Sequence, residues 1–258
     1  MPVETGLDLE NVTVRFGGVS ALTDVTLSIQ GGSVSAIIGP NGAGKTTLFN
    51  VICGYSAPTS GRVLLAGADV TSRSPWERAR LGIARTFQRV EIPETLLGWE
   101  AISLGAARRA RATVIGEFLR SRLARQEEDK FRTRAEEIAS LLNLNPWLDV
   151  PVGVMPLGVR RRLELGRAMA LRPRILLLDE VASGVDVAET QQIAEAIRLV
   201  HQSSPLTVVL VEHDVEFVMK LADTVYVLDQ GRLIASGAPE SIAADESVQR
   251  AYLGTVRV

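Results

Sequence analysis

The segment GPNGAGKT, residues 39–46, constrains the fold of this chain more than any other stretch. It follows the compact apolar run SVSAII and precedes the helix-forming sequence TLFNVICGY. Gly39, Gly42 and Gly44 allow backbone angles that turn successive N–H groups toward one point and let the backbone approach an anion closely. The helix that follows adds its N-terminus, and Lys45 adds a positive charge. An ordinary glycine-rich turn does not require Lys-Thr at this spacing, so the segment predicts a strand–loop–helix unit that binds nucleotide phosphates.

The stretch ILLLDE at residues 175–180 complements this loop. Its continuous apolar run predicts a buried parallel strand whose carboxyl end opens at the ligand edge of a sheet. Asp179 at that end can hold Mg²⁺ through water, the Thr46 hydroxyl can coordinate the same ion, and Thr47 can add a phosphate contact. Glu180 can orient and polarise an attacking water. The alternative, two acids that cap the following helix, is disfavoured by their pairing with the glycine-rich loop.

Apolar patterning along the rest of the chain predicts an α/β protein. Residues 7–29 alternate between apolar and polar types with turn residues between them, as in an antiparallel β layer. Residues 99–145 are rich in helix formers, which predicts an inserted helical subdomain. From residue 157 helices alternate with apolar strands, ending in a strand at 224–228, a glycine turn and one short helix, and this alternation predicts a parallel sheet. We expect one domain, 1–258, with a core from 1–98 and 159–258 and a helical subdomain at 99–158.

Composition limits the partners that the chain can have. A formal net charge of −2 and a pI near 5.8 argue against a generally basic surface for nucleic acid. Residues 100–140 carry nine Arg or Lys against seven acids, a balance that favours a solvated helical face over contact with membrane subunits or anionic lipid. Cys53 is the only cysteine, which excludes an internal disulfide. The apolar runs are far shorter than the roughly 20 residues that cross a bilayer, so a membrane component is expected in a separate chain.

Three further features narrow the class, because the phosphate loop alone also occurs in kinases, GTPases and helicases. Gln88 follows a strand-like stretch in RTFQ, His213 ends the apolar strand LTVVLV, and the loop with Gly158 directly precedes the strand ILLLDE. With these motifs the chain resembles the ATP-binding subunit of ABC transporters over essentially its full length. The resemblance implies ATP hydrolysis with ATP and Mg²⁺ as ligands. It also implies a P-loop NTPase (RecA-like) parallel sheet core with an N-terminal antiparallel β layer and an inserted α-helical subdomain.

The resemblance assigns roles to individual residues. The expected Walker A contacts to nucleotide come from Gly39, Pro40, Asn41, Gly42, Ala43, Gly44, Lys45, Thr46 and Thr47. The expected catalytic set is Lys45, Gln88, Glu180 and His213. The expected Mg²⁺ ligands are Thr46, Gln88 and, through water, Asp179. Phe16 would stack on adenine, Asp186 is the D-loop aspartate, and Gly158 would act in trans. For Phe16 the alternative is a core aromatic, for Gln88 a surface loop residue, and for His213 a strand-end histidine with no catalytic role.

The segments VRFGGVSAL, GVRRRLELGRAMA, VEHDVEFVM and AYLG resemble ATPases of branched-chain amino acid importers. Importers of urea, amides or other amino acids, and the lipopolysaccharide-export ATPase, are alternatives. The resemblance implies a second ATPase subunit, with a heterodimer favoured over a homodimer, transmembrane permease subunits, and a periplasmic or extracellular solute-binding protein. It implies a peripheral location on the cytoplasmic face of the cell membrane. A non-transport ABC ATPase and a regulatory subunit that binds ATP without turnover are the alternative functions.

The signature loop departs from the family pattern Leu-Ser-Gly-Gly-Gln. The aligned residues are Met155, Pro156, Leu157, Gly158 and Val159. Pro156 has no hydroxyl for phosphate and Val159 has no amide, so Gly158, the helix N-terminus and Arg160 remain to bind an anion. We expect Arg160, Arg161 and Arg162 to decorate the surface of this helix. We also expect the ATP site that this loop completes to be weaker than its mate.

Overall fold

The computed structural model describes residues 6–86, 92–107 and 122–253, so Gln88 lies outside the described residues. The chain divides into two compact units. The first comprises Met1–Arg85, Arg174–Ser183 and His201–Val258, and the second Thr86–Pro173 and Gly184–Val200. Among the described residues, none of the helices combines the length and the apolar character that crossing a membrane requires.

Among the described residues, the first unit contains ten strands. They are β1 (Leu7–Phe16), β2 (Val19–Ile29), β3 (Val34–Ile38), β4 (Ser60–Leu65), β5 (Ala68–Asp69), β6 (Ile83–Arg85), β7 (Ile175–Asp179), β8 (Thr207–Val211), β9 (Thr224–Asp229) and β10 (Arg232–Gly237). Six of them form a sheet in the order β10-β9-β3-β8-β7-β6, parallel except for β10. Strands β3, β7 and β8 are buried at every position, which explains their mostly apolar sequences. The predicted parallel α/β core is confirmed.

The other four strands form an antiparallel sheet in the order β2-β1-β4-β5. Leu7 of β1 pairs with Ile29 of β2, and Leu9 pairs with Leu27. All four side chains are buried. One face of this sheet therefore contributes to the core of the first unit, while the intervening polar residues face outward. The N-terminal antiparallel layer was predicted from this alternation and is confirmed.

The helices in chain order are α1 (Lys45–Cys53), α2 (Pro75–Arg80), α3 (Gly98–Ala107), α4 (Arg122–Leu141), α5 (Leu157–Ala170), α6 (Val187–Ser203), α7 (Val215–Leu221), α8 (Pro239–Ala243) and α9 (Glu246–Leu253). The prediction of one short helix after the last glycine turn is wrong, because β10 and then two helices follow that turn. Every second residue of β10 is exposed. It is an edge strand whose short sequence has only weak apolar alternation. Pairing with β9, for example of Leu233 with Leu228, stabilises it as a strand.

Glycines allow the helices of the second unit to pack closely. A Cβ on Gly105 of α3 would lie 1.9 Å from the carbonyl oxygen of Arg167 in α5. A Cβ on Gly166 of α5 would lie 3.2–3.3 Å from three apolar side chains, those of Leu142, Ile102 and Ile138. The backbone clash means that position 105 requires glycine, whereas a Cβ at position 166 would require the three side chains to shift by a few tenths of an ångström.

Arginines of α5 support the fold rather than decorate its surface. Arg161 and Arg162 are buried, with 9% and 7% of their surface exposed, so the prediction of a surface position for these two side chains is wrong. Arg162 Nη1 donates to the carbonyl oxygens of Leu142 and Asn143, 2.9 and 3.2 Å away, just beyond the end of α4. No further turn of α4 follows to hydrogen-bond these carbonyls, and a buried guanidinium satisfies them.

Candidate functional site

The loop between β3 and α1 has the backbone that its glycines predict. Gly39, Gly42 and Gly44 have φ angles of 152°, 80° and 103°. Gly44 also caps the N-terminus of α1. A Cβ on Gly44 would lie 2.7 Å from the carbonyl oxygen of Ala21 and 2.8 Å from a methyl carbon of Leu22. Residue 44 must therefore be glycine for two reasons, its left-handed backbone and its contact with β2.

Gly44→Ala tests this requirement. We expect a loss of about 3 kcal/mol or more in the free energy of unfolding, since left-handed strain of about 1–2 kcal/mol adds to a clash with the backbone of β2. Gly32→Ala is the matched control, because Gly32 has a φ of 72° but nothing within 4 Å of its added Cβ. Urea unfolding of both variants measures the difference. Equal losses would show that contact with β2 contributes nothing.

Lys45 lies inside the loop with 5% of its surface exposed. Its Nζ donates to the carbonyl oxygens of Gly39 and Pro40 at 2.7 and 3.0 Å. Burial lowers the pKa of Lys45, and the carboxylates of Glu180 and Asp179 oppose that effect. The ammonium group is thus held within the loop and faces two acids, which is the charge arrangement that a phosphate–metal complex requires.

A cavity of about 310 Å³ opens over the loop. It is lined by residues 19–21 at the start of β2, by residues 41–47, and by Glu180 and His213. The structure therefore brings seven of the nine predicted Walker A residues, 41–47, to the same cavity as two predicted catalytic residues, while Gly39 and Pro40 are not among the residues that line it. Phe16 pairs with Val19 across the hairpin of β1 and β2, and 56% of its surface is exposed. Phe16 is therefore not a core aromatic.

Glu180 follows β7 with a φ of 49°, a left-handed angle that is uncommon for a residue with a side chain. Its N–H donates to the carbonyl oxygen of Val211 in β8 at 2.9 Å, which fixes the turn. The Oε1 atom of Glu180 lies 2.7 Å from Nε2 of His213. A carboxylate only accepts, so the imidazole nitrogen donates and orients the carboxylate toward the cavity.

Glu212, immediately before His213, is a buried acid next to the site. It is 3% exposed, and its Oε1 accepts a hydrogen bond from the N–H of Ala182 at 2.9 Å. Burial raises the pKa of Glu212 to about 7, aided by the nearby Glu180 and Asp214 and opposed by backbone hydrogen bonds from Ala182 and His213. The position of Glu212 at the end of an apolar strand was the only sign of it in the sequence, and it was not among the predicted site residues.

Glu212→Gln should make stability less dependent on pH. The pKa in the folded protein, about 7, lies above the ordinary value of 4.5. The folded state therefore binds more protons across that window, and stability falls as pH rises from about 4.5 to 7, by a total of about 3 kcal/mol. Glutamine carries no charge, so the variant should gain stability relative to the wild type at pH 8 and not at pH 4.5. Urea unfolding between these pH values measures this. A constant difference between the two proteins would contradict it.

The far end of α1 is held by Arg78, which is 1% exposed. Its Nη1 donates to the carbonyl oxygens of Val51 and Ile52 at 2.6 and 2.8 Å. A cation at this end satisfies the last carbonyls and interacts favourably with the helix dipole. Arg78 therefore stabilises the helix that carries the phosphate loop, a role that the sequence pattern did not indicate.

The turn between β9 and β10 contacts the other side of the loop. The N–H of Gly231 donates to the carbonyl oxygen of Ala43 at 3.0 Å, and the N–H of Thr23 donates to the carbonyl oxygen of Gly231 at 2.8 Å. A Cβ on Gly231 would lie 2.7 Å from the carbonyl oxygen of Ala21. The phosphate loop is thus connected by hydrogen bonds to β2 through a turn late in the sequence.

The signature loop lies in the second unit. The N–H of Gly158 donates to Oε1 of Glu189 at 3.2 Å, so a carboxylate of the same chain lies on the N-terminus of α5. Asp186 caps α6, since its Oδ1 accepts from the N–H of Glu189 at 2.8 Å. Arg160 donates to the carbonyl oxygens of Met155 and Gly153 at 2.9 and 2.6 Å. Arg160 therefore fixes the loop that precedes α5.

A strand–loop–helix phosphate cradle, with two acids ending another strand of the same parallel sheet, defines a P-loop nucleotide hydrolase. The chain matches the family model described as ABC transporter over residues 22–183, more than half of its length. It belongs to the family of ABC transporter ATP-binding subunits and is an ATPase. A second model, described as branched-chain amino acid ATP-binding cassette transporter, matches residues 232–257.

Curated relatives match the chain over nearly all of its length. It is 35% identical to the high-affinity branched-chain amino acid transport ATP-binding protein BraF of Pseudomonas aeruginosa, over 96% of this chain and 97% of that protein. It is 33% identical to the LivG protein of the same description in Escherichia coli, with the same coverage. It is also 31% identical to a sulfate/thiosulfate import ATP-binding protein, CysA of Bradyrhizobium diazoefficiens, over 92% of this chain and 64% of that one.

Solved structures share the fold. A nucleotide-free ATP-binding cassette from an ABC transporter superposes with a TM-score of 0.83 at 29% identity, over 96% of this chain and 98% of the other. The ADP conformation of another ABC transporter cassette gives a TM-score of 0.82 at 28% identity, over 97% and 99% of the two chains. The predicted fold class and the predicted family are both confirmed.

Proposed function

We propose that this chain powers the import of branched-chain or related amino acids through partner permeases. The observation that carries the proposal is the pair of matches just described: a branched-chain amino acid transporter model at residues 232–257 and about one-third identity to BraF and LivG over almost the whole chain. Because the chain is also similar to a sulfate/thiosulfate import ATP-binding protein, the experiment below tests solutes other than amino acids as well.

In this proposal each group of residues in the site has a separate role. The loop N–H groups and Lys45 bind the β- and γ-phosphates, and Glu180 polarises the attacking water while His213 orients its carboxylate. Mg²⁺ fits the residues present, because the Thr46 hydroxyl and the buried Asp179 carboxylate are the hard oxygen donors that it prefers. When bound, Mg²⁺ neutralises charge on the phosphates. Gln88 as a further Mg²⁺ ligand, Phe16 as the adenine contact and Asp186 as the D-loop residue remain part of the proposal.

The proposed assembly pairs two ATPase subunits head to tail, so that Gly158 of one subunit binds the phosphate held by the other. We favour a heterodimer because the loop from Pro156 to Val159 lacks the usual serine and glutamine. Permease subunits and an external solute-binding protein complete the assembly, and this chain lies peripherally on the cytoplasmic face of the membrane.

Purification of the tagged full chain from its native membranes tests the proposal. We expect two permease subunits and a second ATPase to co-purify, and the reconstituted complex to take up radiolabelled leucine in an ATP-dependent manner. Uptake of sulfate or urea in place of amino acids would overturn the solute class. Recovery of the chain without any membrane protein, with ATPase activity intact, would favour a non-transport ATPase.

Gly158→Ala tests the role of the signature loop in trans. The added Cβ would lie 2.5–2.6 Å from the terminal atoms of Glu189, which can move, so we expect stability to change by less than about 1 kcal/mol. Loss of close backbone approach to phosphate should lower ATP hydrolysis by the complex at least about tenfold. Gly237→Ala, whose Cβ would meet only Ser241 at 3.8 Å, should leave the rate unchanged. An unchanged rate in Gly158→Ala would count against the head-to-tail site.

A further inference from the structure

Arg85, the last residue of β6, forms an ion pair with Asp179 at the end of the adjacent strand β7. Its Nη2 donates to Oδ2 of Asp179 at 2.6 Å. The two side chains are 10% and 5% exposed, so neither charge is stabilised by bulk water. A buried carboxylate requires a counter-charge, and Arg85 supplies one beside Asp179.

The same guanidinium also contacts the helix that follows the phosphate loop. Its Nη1 donates to Oδ1 of Asn50 in α1 at 2.7 Å, and its carbon atom lies 5.6 Å from the centre of the Phe49 ring. The two donors belong to one rigid planar group. Arg85 therefore joins α1, which carries Lys45, to the strand end that carries Asp179.

We propose that Arg85 is a positioning residue that sets the charge balance between Asp179 and the nucleotide phosphates. This inference rests on the proposed assignment of Asp179 as the Mg²⁺-binding carboxylate. While Arg85 balances Asp179, nucleotide without Mg²⁺ meets one unbalanced carboxylate fewer at this strand end, where Glu180 also carries negative charge. Without Arg85, the carboxylate repels the phosphates until a cation arrives, so nucleotide binding becomes more dependent on Mg²⁺.

Fluorescent ADP binding to the full-length chain, measured with Mg²⁺ and with EDTA, tests the proposal without requiring permeases or turnover. In Arg85→Met we expect the affinity in EDTA to fall about tenfold and the affinity in Mg²⁺ to change less than threefold. Arg85→Lys should restore the wild-type ratio of the two affinities because it keeps the charge. Asn50→Ala is the matched control, since it removes the hydrogen bond between Arg85 and Asn50 and leaves the ion pair with Asp179, and its ratio should match the wild type.

A merely structural role predicts equal losses in Mg²⁺ and in EDTA, and that result, or no loss at all, overturns the proposal. If Arg85→Met alone does not fold, the same change is made on the Asp179→Asn background, where no buried carboxylate is left unbalanced. Because the repulsion comes from the Asp179 carboxylate, Arg85→Met on that background should change the affinity in EDTA less than about threefold, and a tenfold loss there also overturns the proposal. Failure of the wild-type chain to bind ADP would instead count against the proposed nucleotide site itself.

Discussion

Replacement of Glu180 by Gln should lower the rate of ATP hydrolysis by about 10²–10⁴ while nucleotide binding persists. Glutamine cannot take a proton from water, but its amide oxygen can still accept the hydrogen bond that His213 makes to Glu180. The loop contacts of Lys45 are unaffected by the change. Steady-state phosphate release from the assembled complex measures the rate, and equilibrium titration with fluorescent ATP measures binding.

Glu216→Gln provides the control for this loss, because Glu216 is an exposed acid on α7 whose side chain contacts Lys220 at 2.6 Å. Its rate should equal that of the wild type. If Glu180→Gln hydrolyses ATP at more than about one-tenth of the wild-type rate, another group activates the water. His213→Ala would then be the next variant, since its imidazole lines the same cavity.

Lys45→Ala should reduce nucleotide affinity by at least about 10² and hydrolysis by more than about 10³. The change removes the only side-chain ammonium among the residues that line the described cavity. It also removes the hydrogen bonds that Nζ donates to the carbonyl oxygens of Gly39 and Pro40. Isothermal titration with ATP and phosphate release from the complex measure the two effects.

Two comparison variants separate charge from shape at this position. Lys45→Arg keeps the charge but needs more room than a side chain with 5% exposure has, so it should also lose most activity. Lys220→Ala removes an exposed ammonium and should have no effect on either measurement. Retention of normal turnover by a folded Lys45→Ala protein would refute the assignment of the phosphate loop.

The sequence was sufficient to predict the phosphate loop and the parallel core for a physical reason. The glycines, lysine and threonine that form the phosphate loop are all neighbours within residues 39–46. Strands such as β3 and β8 are apolar because both of their faces are buried. The antiparallel layer followed from alternation along β1 and β2. In each case, the residues that determine the structure lie next to each other in the chain.

The residues that sequence analysis missed or misjudged depend on partners distant in the chain. Arg85 lies 94 positions from Asp179, and Arg162 lies 20 positions from the carbonyl that it caps. The neighbouring residues in the sequence do not distinguish a solvated arginine from a buried one, either in a helix or at the end of a strand. Packing of the folded chain determines which acid or carbonyl an arginine contacts. Because that packing cannot be read from the local sequence, Arg161 and Arg162 were expected at the surface.

The contact between Gly231 and Ala43 has a consequence for synthesis of the protein. The segment that binds phosphate leaves the ribosome early, but the turn that hydrogen-bonds to it is about 190 residues later in the chain. Until that turn emerges, the nascent loop lacks one of its fixed neighbours and the parallel sheet lacks β9 beside β3. Tight nucleotide binding should therefore arise late in translation, after residue 231 has been synthesised.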